Sequence, residues 1–280
     1  MIIGSATKQK TKLFSDNFAS GSPDFYSLDH NNLTLSSIGV GMYKGDNSLE
    51  GDKNWEQSLI ESIKSGINVF DTAIRYRNQR SEKILGKVLT NLINAKKLKR
   101  EEVFIGTKGG IIGIPAGYIE EEYIQDIVIG KWKIRKNEIY KNFHCLSLSF
   151  LKKQFTISLE NLNLSTFDCY FLHNPELAKG IKSKKEFYIL LKNIFSWLED
   201  ERKKGRLNYY GIASWNGFRR RKNSRLFLDI DKIIKIAERV GGVDHGLRYI
   251  EVPLNIGMPY LANYSSISEK IDLQNINFIN

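Results

Sequence analysis

From residue 38 onward, short β-branched or apolar runs alternate with helical patterns, and this alternation limits the possible folds more than any other feature of the chain. The candidate strands are Ile38–Tyr43, Asn68–Ala73, Val103–Lys108, Phe167–His173, Tyr209–Ser214 and Tyr249–Asn255. Between them, apolar residues recur at the three- and four-residue spacing that turns one helix face to a core. The first set is Trp55, Leu59, Ile60 and Ile63, closed by Gly66 at a C-terminal cap position. The others run through Ile84–Ile93, Leu151–Leu162, Phe187–Leu198 and Leu226–Val240. Such regular alternation implies a parallel sheet with helices as crossovers, either doubly wound or closed as a barrel. Ahead of it, Phe25–Leu28 and Leu33–Ser36 flank His30-Asn31-Asn32 and read as a hairpin. Residues 109–146 form one connection, longer than compact domains keep without a use.

Composition narrows the class. The chain has 280 residues, 41% hydrophobic and 26% charged, which suits one globular α/β domain spanning 1–280. Cys145 and Cys169 are the only cysteines, too few for a disulfide scaffold. The segment MIIGSATKQK lacks the basic-then-apolar order of a signal peptide, and no apolar run reaches membrane-spanning length. The expectation is a cytoplasmic protein with no membrane partner. The formal net charge is +11, with basic runs at Lys131–Lys136 and Arg219–Lys222. Solvated helix faces and loops account for most of it, and attraction of an anionic ligand such as a dinucleotide phosphate is the sharper reading. No nucleic-acid reading module accompanies the charge, so nucleic acid is not an expected partner.

Parallel α/β folds place function at the C-terminal ends of their strands. The second strand ends in Asp71, with Tyr76 in the loop beyond; the third ends in Lys108 and the fourth in His173. Each has a bland use as a cap, a loop aromatic, a solvated end or a core histidine, but four at corresponding positions suggest chemistry. A phenol is too weak an acid to protonate a carbonyl efficiently at neutral pH. A nearby ammonium favours the phenolate, and a carboxylate holds that ammonium charged. An imidazole beside them can orient a substrate oxygen. The set suits carbonyl reduction but has no electron source of its own, so a hydride donor must bind on the same face. Lys108 as a Schiff-base nucleophile is a third possibility, disfavoured by a paired aspartate.

Other motifs are weaker. Gly39-Val40-Gly41 begins like a dinucleotide fingerprint but lacks the third glycine and the following helix. Four histidines and two cysteines show no metal spacing, so no metal is expected.

With these residues in view the chain resembles the aldo-keto reductase family. The matching stretches are DTAIRY (Asp71–Tyr76), SEKILG (Ser81–Gly86), TKGG (Thr107–Gly110) and LHNPE (Leu172–Glu176). YYGIASWNGF (Tyr209–Phe218) and PLNIGM (Pro253–Met258) continue the match. It looks most like bacterial and archaeal members with a long loop after the third strand, here carrying NFHCLS (Asn142–Ser147). The resemblance implies a TIM-type (β/α)8 barrel using NADP or NAD without a Rossmann domain, acting on a small carbonyl or alcohol. It implies a tetrad of Asp71, Tyr76, Lys108 and His173, with Tyr76 as general acid. Gly41, Met42, Ser214 and Asn255 match positions beside the cofactor.

Three departures qualify these expectations. Ala213-Ser214 stands where the family has Ser-Asn, and Glu251 where it has glutamine. The pattern gives about six of eight strands, without the seventh and eighth that grip the cofactor phosphates. The expectation is therefore a shortened barrel that binds cofactor poorly, the alternative being a silent homologue with a sensing or regulatory role. The sequence does not reveal the oligomeric state or the substrate.

Overall fold

Three of the expected helices start where a short polar side chain accepts a backbone N–H that the helix itself leaves unpaired. Ser48 accepts from Gly51 at 3.0 Å, Asp229 caps Ile230–Gly241, and Ser183 and Glu186 form a reciprocal capping box. The computed structural model describes residues 1–18, 23–258 and 275–279. In chain order its elements begin with α1 (Lys8–Asp16), β1 (Tyr26–Leu28), β2 (Thr34–Ser36), β3 (Val40–Gly41) and α2 (Leu49–Lys64). Next come β4 (Val69–Asp71), α3 (Arg80–Asn94), β5 (Phe104–Gly109), α4 (Glu120–Glu122), β6 (Ile139–Tyr140) and β7 (His144–Cys145). Then follow α5 (Leu148–Leu162), β8 (Phe167–His173), α6 (Lys184–Lys203), β9 (Leu207–Ala213), α7 (Ile230–Gly241), β10 (Leu247–Glu251) and β11 (Asn277–Ile279).

Two compact units emerge. The first comprises Met1–Lys108, Gly113–Glu120 and Gln154–Cys169. Here β3, β4 and β5 pair in parallel, with Gly41 opposite Asp71 and Asp71 opposite Gly106, while β1 and β2 form the antiparallel hairpin. Phe70, Leu85, Leu89, Ile105, Leu162 and Phe167 are buried at its centre. Gly86 lets α3 lie directly on α5: a Cβ there would come 2.6 Å from the Asn161 carbonyl oxygen. An ion pair ties the unit together. Asp168 accepts from Arg100 Nη2 at 2.6 Å, from the Ile105 amide at 2.8 Å and from the Ala6 amide at 2.6 Å. Both side chains are 1% exposed, and the carboxylate thereby fastens the N-terminal segment, the start of β5 and β8 at one point.

The second unit comprises Gly109–Ile112, Glu121–Lys153 and Tyr170–Asn280. β9, β10 and β11 pair in parallel, β8 neighbours β9, and β6 and β7 form a small hairpin. The apolar faces of α6 (Phe187, Leu191, Ile194, Leu198) and α7 (Ile233, Ile234, Ala237) are buried. Phe195 packs on Tyr210 with ring centroids 4.9 Å apart, and the Tyr210 hydroxyl donates to Glu199 at 3.0 Å.

β8 forms over the predicted residues, but other boundaries move. The first strand shrinks to Val40–Gly41, and its last ladder bond is donated by the Met42 amide to the Asp71 carbonyl. The sixth strand runs Leu247–Glu251 rather than Tyr249–Asn255, since Pro253 has no N–H to continue a ladder. The fifth helix starts at Ile230, not Leu226, because Asp229 caps it there. The 109–146 connection carries α4, which continues as a wider helical segment over Tyr123–Lys131, and the β6–β7 hairpin. Helix α1 and the three-residue strand β11 were not foreseen; the rest of the tail to residue 274 lies outside the described residues. Among the described residues no helix is long and apolar enough to cross a membrane.

Removing the Asp168 charge strands the Arg100 guanidinium in the core. Asp168→Asn is expected to lower unfolding free energy by about 3–5 kcal/mol in a urea titration; a change near zero would show the pair to be dispensable.

Candidate active site

Three of the four strand-end residues belong to the first unit. Asp71 closes β4, Lys108 lies near the end of β5, and Tyr76 follows in the loop after β4. The Lys108 side chain is 0% exposed, and its ammonium pairs with the Asp71 carboxylate and donates to the Thr72 carbonyl at 3.2 Å. The same ammonium sits 5.0 Å from the centroid of the Tyr76 ring, and Tyr76 is 8% exposed. Burial raises the Asp71 carboxyl above its ordinary value, and the charge and hydrogen bond of Lys108 oppose that rise. Tyr43, exposed, meets the Tyr76 ring edge-on with ring centroids 5.1 Å apart.

The backbone beyond Tyr76 is held in an uncommon form. Arg77, Asn78 and Gln79 have φ of 46°, 55° and 66°, in the left-handed region that costs roughly 1–2 kcal/mol per residue. Long-range bonds hold them there. Arg77, 5% exposed, donates through Nε to the Asp46 carbonyl at 2.8 Å and through Nη2 to Asp52 at 2.7 Å. Gln79 Nε2 donates to the Gly113 carbonyl at 2.7 Å, and a Cβ on Gly113 would lie 2.6 Å from the Ile74 carbonyl oxygen. Beside Lys108, Thr107 donates to the buried Glu82 at 2.7 Å, which also accepts from Asn161 at 2.9 Å. Burial raises the Glu82 carboxyl, opposed by the bonds from Asn161 and Thr107. SEKILG and TKGG thus meet through Glu82. Sequence reading missed Arg77, Gln79 and Glu82; Glu82 lies inside SEKILG, a motif quoted for other reasons, while Arg77 and Gln79 fall between DTAIRY and SEKILG and carried no signal.

His173 ends β8 in the second unit, half-buried. His144, from the NFHCLS hairpin, places Nε2 3.0 Å from the His173 carbonyl oxygen. Burial lowers the His144 imidazole to about 4, opposed by that bond, so the ring is neutral at neutral pH and Nε2–H donates. The next residues of LHNPE brace the loop after β9. Asn174, at φ 48°, accepts from the Trp215 amide at 2.8 Å, and Glu176, 1% exposed, accepts from the Asn216 and Gly217 amides at 3.0 and 3.2 Å. Burial raises the Glu176 carboxyl, with the bonds from the Asn216 and Gly217 amides opposing it.

Of the positions matched to cofactor contacts, Gly41 lies in the first unit, and a Cβ there would meet nothing within 4 Å. Met42 is 0% exposed, and its amide and carbonyl bond Asp71 and Ser81. In the second unit, Ser214 Oγ accepts from the Gly217 amide at 2.8 Å. Asn255 is not at a strand end: it is exposed, in a turn that pairs it with Met258. No group of three or more His, Cys, Asp or Glu suited to a metal occurs among the described residues.

The structure thus brings a buried Lys108–Asp71 pair against Tyr76 at strand ends of an α/β fold. The Aldo/keto reductase family model matches residues 38–225, and the chain belongs to that family. It is 27% identical over 192 residues to the NADH-specific methylglyoxal reductase of Escherichia coli (strain K12), covering 67% of this chain and 51% of that protein. It is 26% identical over 158 residues to the NADPH-dependent D-xylose reductase of Candida boidinii, covering 56% and 37%. Among solved structures, aldo-keto reductase AKR11C1 from Bacillus halodurans superposes with TM-score 0.59 at 17% identity, over 91% of this chain and 64% of that one. An aldo/keto reductase from Klebsiella pneumoniae, in complex with NADP and acetate, gives 0.57 at 13% identity, over 91% and 66%. These likenesses show the fold, the α/β barrel type that the resemblance implied. The chain spans about half the length of the curated relatives, or less, and about two thirds of the solved chains.

The neutral His144 has a pH signature. Unfolded, its imidazole takes up a proton near 6.5; folded, near 4. The folded state binds fewer protons between these values, so stability falls as pH drops from 6.5 to 4, by about 3 kcal/mol in all. Measured by urea unfolding, wild type should lose this stability relative to His144→Gln, which keeps a donor but does not titrate. A constant difference across the range would contradict it.

Proposed function

We propose that the chain transfers hydride between NAD(P)H and a small carbonyl or alcohol substrate, with Tyr76 as the general acid of reduction. The observation that carries this reading is the fully buried Lys108 ammonium, paired with Asp71 and 5.0 Å from the Tyr76 ring centroid. A positive charge fixed beside a phenol favours its ionised form, so the phenol gives up its proton more readily to an oxygen gaining negative charge. Asp71 keeps Lys108 charged and in place, which also argues against Schiff-base chemistry at that amine. His173 is assigned the hydrogen bond that aligns the substrate oxygen, and it recovers no proton in the forward step.

These residues hold and move a proton but carry no redox group, which is the donor set a nicotinamide enzyme needs from its protein. When bound, NAD(P)H supplies the hydride to the carbonyl carbon. Gly41 fits a cofactor-facing position, being open and opposite Asp71 in the β3–β4 ladder. Met42, with no open polar group, serves by packing beneath that position, and Ser214 and Asn255 are assigned as further contacts. The relatives' names, a methylglyoxal reductase and a D-xylose reductase, support aldehydes, ketones and sugars as the substrate class. The reading treats 1–280 as one barrel domain acting in the cytoplasm.

The test is loss of NAD(P)H absorbance with a panel of aldehydes, sugars and 2-keto compounds. Tyr76→Phe should lower kcat/KM by about 100-fold or more while leaving thermal unfolding unchanged. A variant as active as wild type would require a different acid.

A further inference from the structure

The second unit holds a pocket of about 330 Å³ between the start of α6 and the loop that precedes α7, apart from every residue assigned above. Five cationic side chains line it: Lys179, Lys182, Lys184, Lys222 and Arg225. The Arg219–Lys222 run, read from sequence as solvated charge or an anion attractor, delivers Lys222 to it. No carboxylate lines the pocket, and none of the five forms an ion pair among the described residues. Glu186 on α6 accepts from the Ser183 amide in the capping box at 2.8 Å, and its carboxylate also feels the charge of Lys182.

Two of the cations are built into the wall. Lys179 is 4% exposed, and its ammonium donates to the Phe227 carbonyl. Arg225 Nε donates to the Lys179 carbonyl at 2.6 Å and Nη2 to the Gly180 carbonyl at 3.2 Å. These bonds join the two loops through carbonyl acceptors, with no carboxylate bonded to either cation. Burial, then the charge of Lys184, holds the Lys179 ammonium below its ordinary value, with Asp229 and Glu176 opposing. The serines on the rim are oriented too. Ser183 Oγ accepts from Glu186 N at 3.3 Å and Ser224 Oγ from Leu226 N at 3.3 Å, so each hydroxyl hydrogen remains to donate. Asn223 adds an amide.

We propose that this pocket binds the phosphate group of a small soluble phosphate monoester. A monoester is close to a dianion at neutral pH with three acceptor oxygens, which matches a concentration of point-charge donors and hydroxyls with no carboxylate in the pocket lining. A pocket this size has room for the phosphate together with a small ester remainder. The inference concerns the second unit alone and stands whether or not the chain reduces carbonyls.

The experiment is calorimetric titration of the 280-residue chain with inorganic phosphate and with glycerol phosphate, in chloride of matched ionic strength. Both should bind, more weakly as salt rises. Lys182→Gln/Lys222→Gln should weaken binding by about tenfold or more. Lys53→Gln/Lys97→Gln, with the same charge change at exposed sites elsewhere, should not. Equal loss in both double variants would reduce the effect to net charge and overturn the proposal, as would no phosphate heat above the chloride background. Binding of a single-stranded oligonucleotide without binding of either phosphate probe would overturn it in favour of a polyanion surface.

Discussion

An ammonium with no access to water is the constraint around which the first unit is arranged. Lys108 could not stay charged at zero exposure without a partner, because an unpaired buried ion costs far more than folding leaves to spare. Asp71 supplies the counter-charge, the Thr72 carbonyl a further acceptor, and the Tyr76 ring a polarisable face. Parallel pairing of β4 with β5 brings the two charges together, since Asp71 stands opposite Gly106, two residues before Lys108. The sheet register is thus also the register of the chemistry.

What surrounds that pair explains why the neighbouring loop keeps an unfavourable shape. Three consecutive left-handed residues after Tyr76 would relax in isolation. The Arg77 bonds to Asp46 and Asp52, with the Gln79 bond to Gly113, fix them against that tendency. The loop that follows the tyrosine is therefore set by contacts that do not touch its ring. LHNPE does similar work in the second unit: Asn174 and Glu176 each spend a side chain on amides of the loop after β9. A motif recognised for one histidine is largely a means of holding loops still.

How much of this was legible in the sequence depends on the range of the interactions. Apolar periodicity is local, so β8 and the buried faces of α2, α3, α5, α6 and α7 could be read directly. Asp71, Tyr76 and Lys108 were legible because strand ends in parallel folds concentrate function. The Arg77–Asp52 and Thr107–Glu82 bonds join residues 25 apart, and Glu176 reaches residues 40 and 41 further on, beyond any periodic signal. Strands of two residues, such as those around NFHCLS, are too short to show alternation. Asn255 was misplaced because the apolar run continues past Glu251, although Pro253 prevents the ladder from following it.

The central claim is that Lys108 acts on chemistry through Tyr76 rather than beside it. A double-variant cycle measures this: kcat/KM for aldehyde reduction by wild type, Tyr76→Phe, Lys108→Met and the two combined. If the ammonium serves the phenol, the combined variant should be no slower than Tyr76→Phe alone. Losses that multiply would mean independent roles, and the account given of this pair would be wrong.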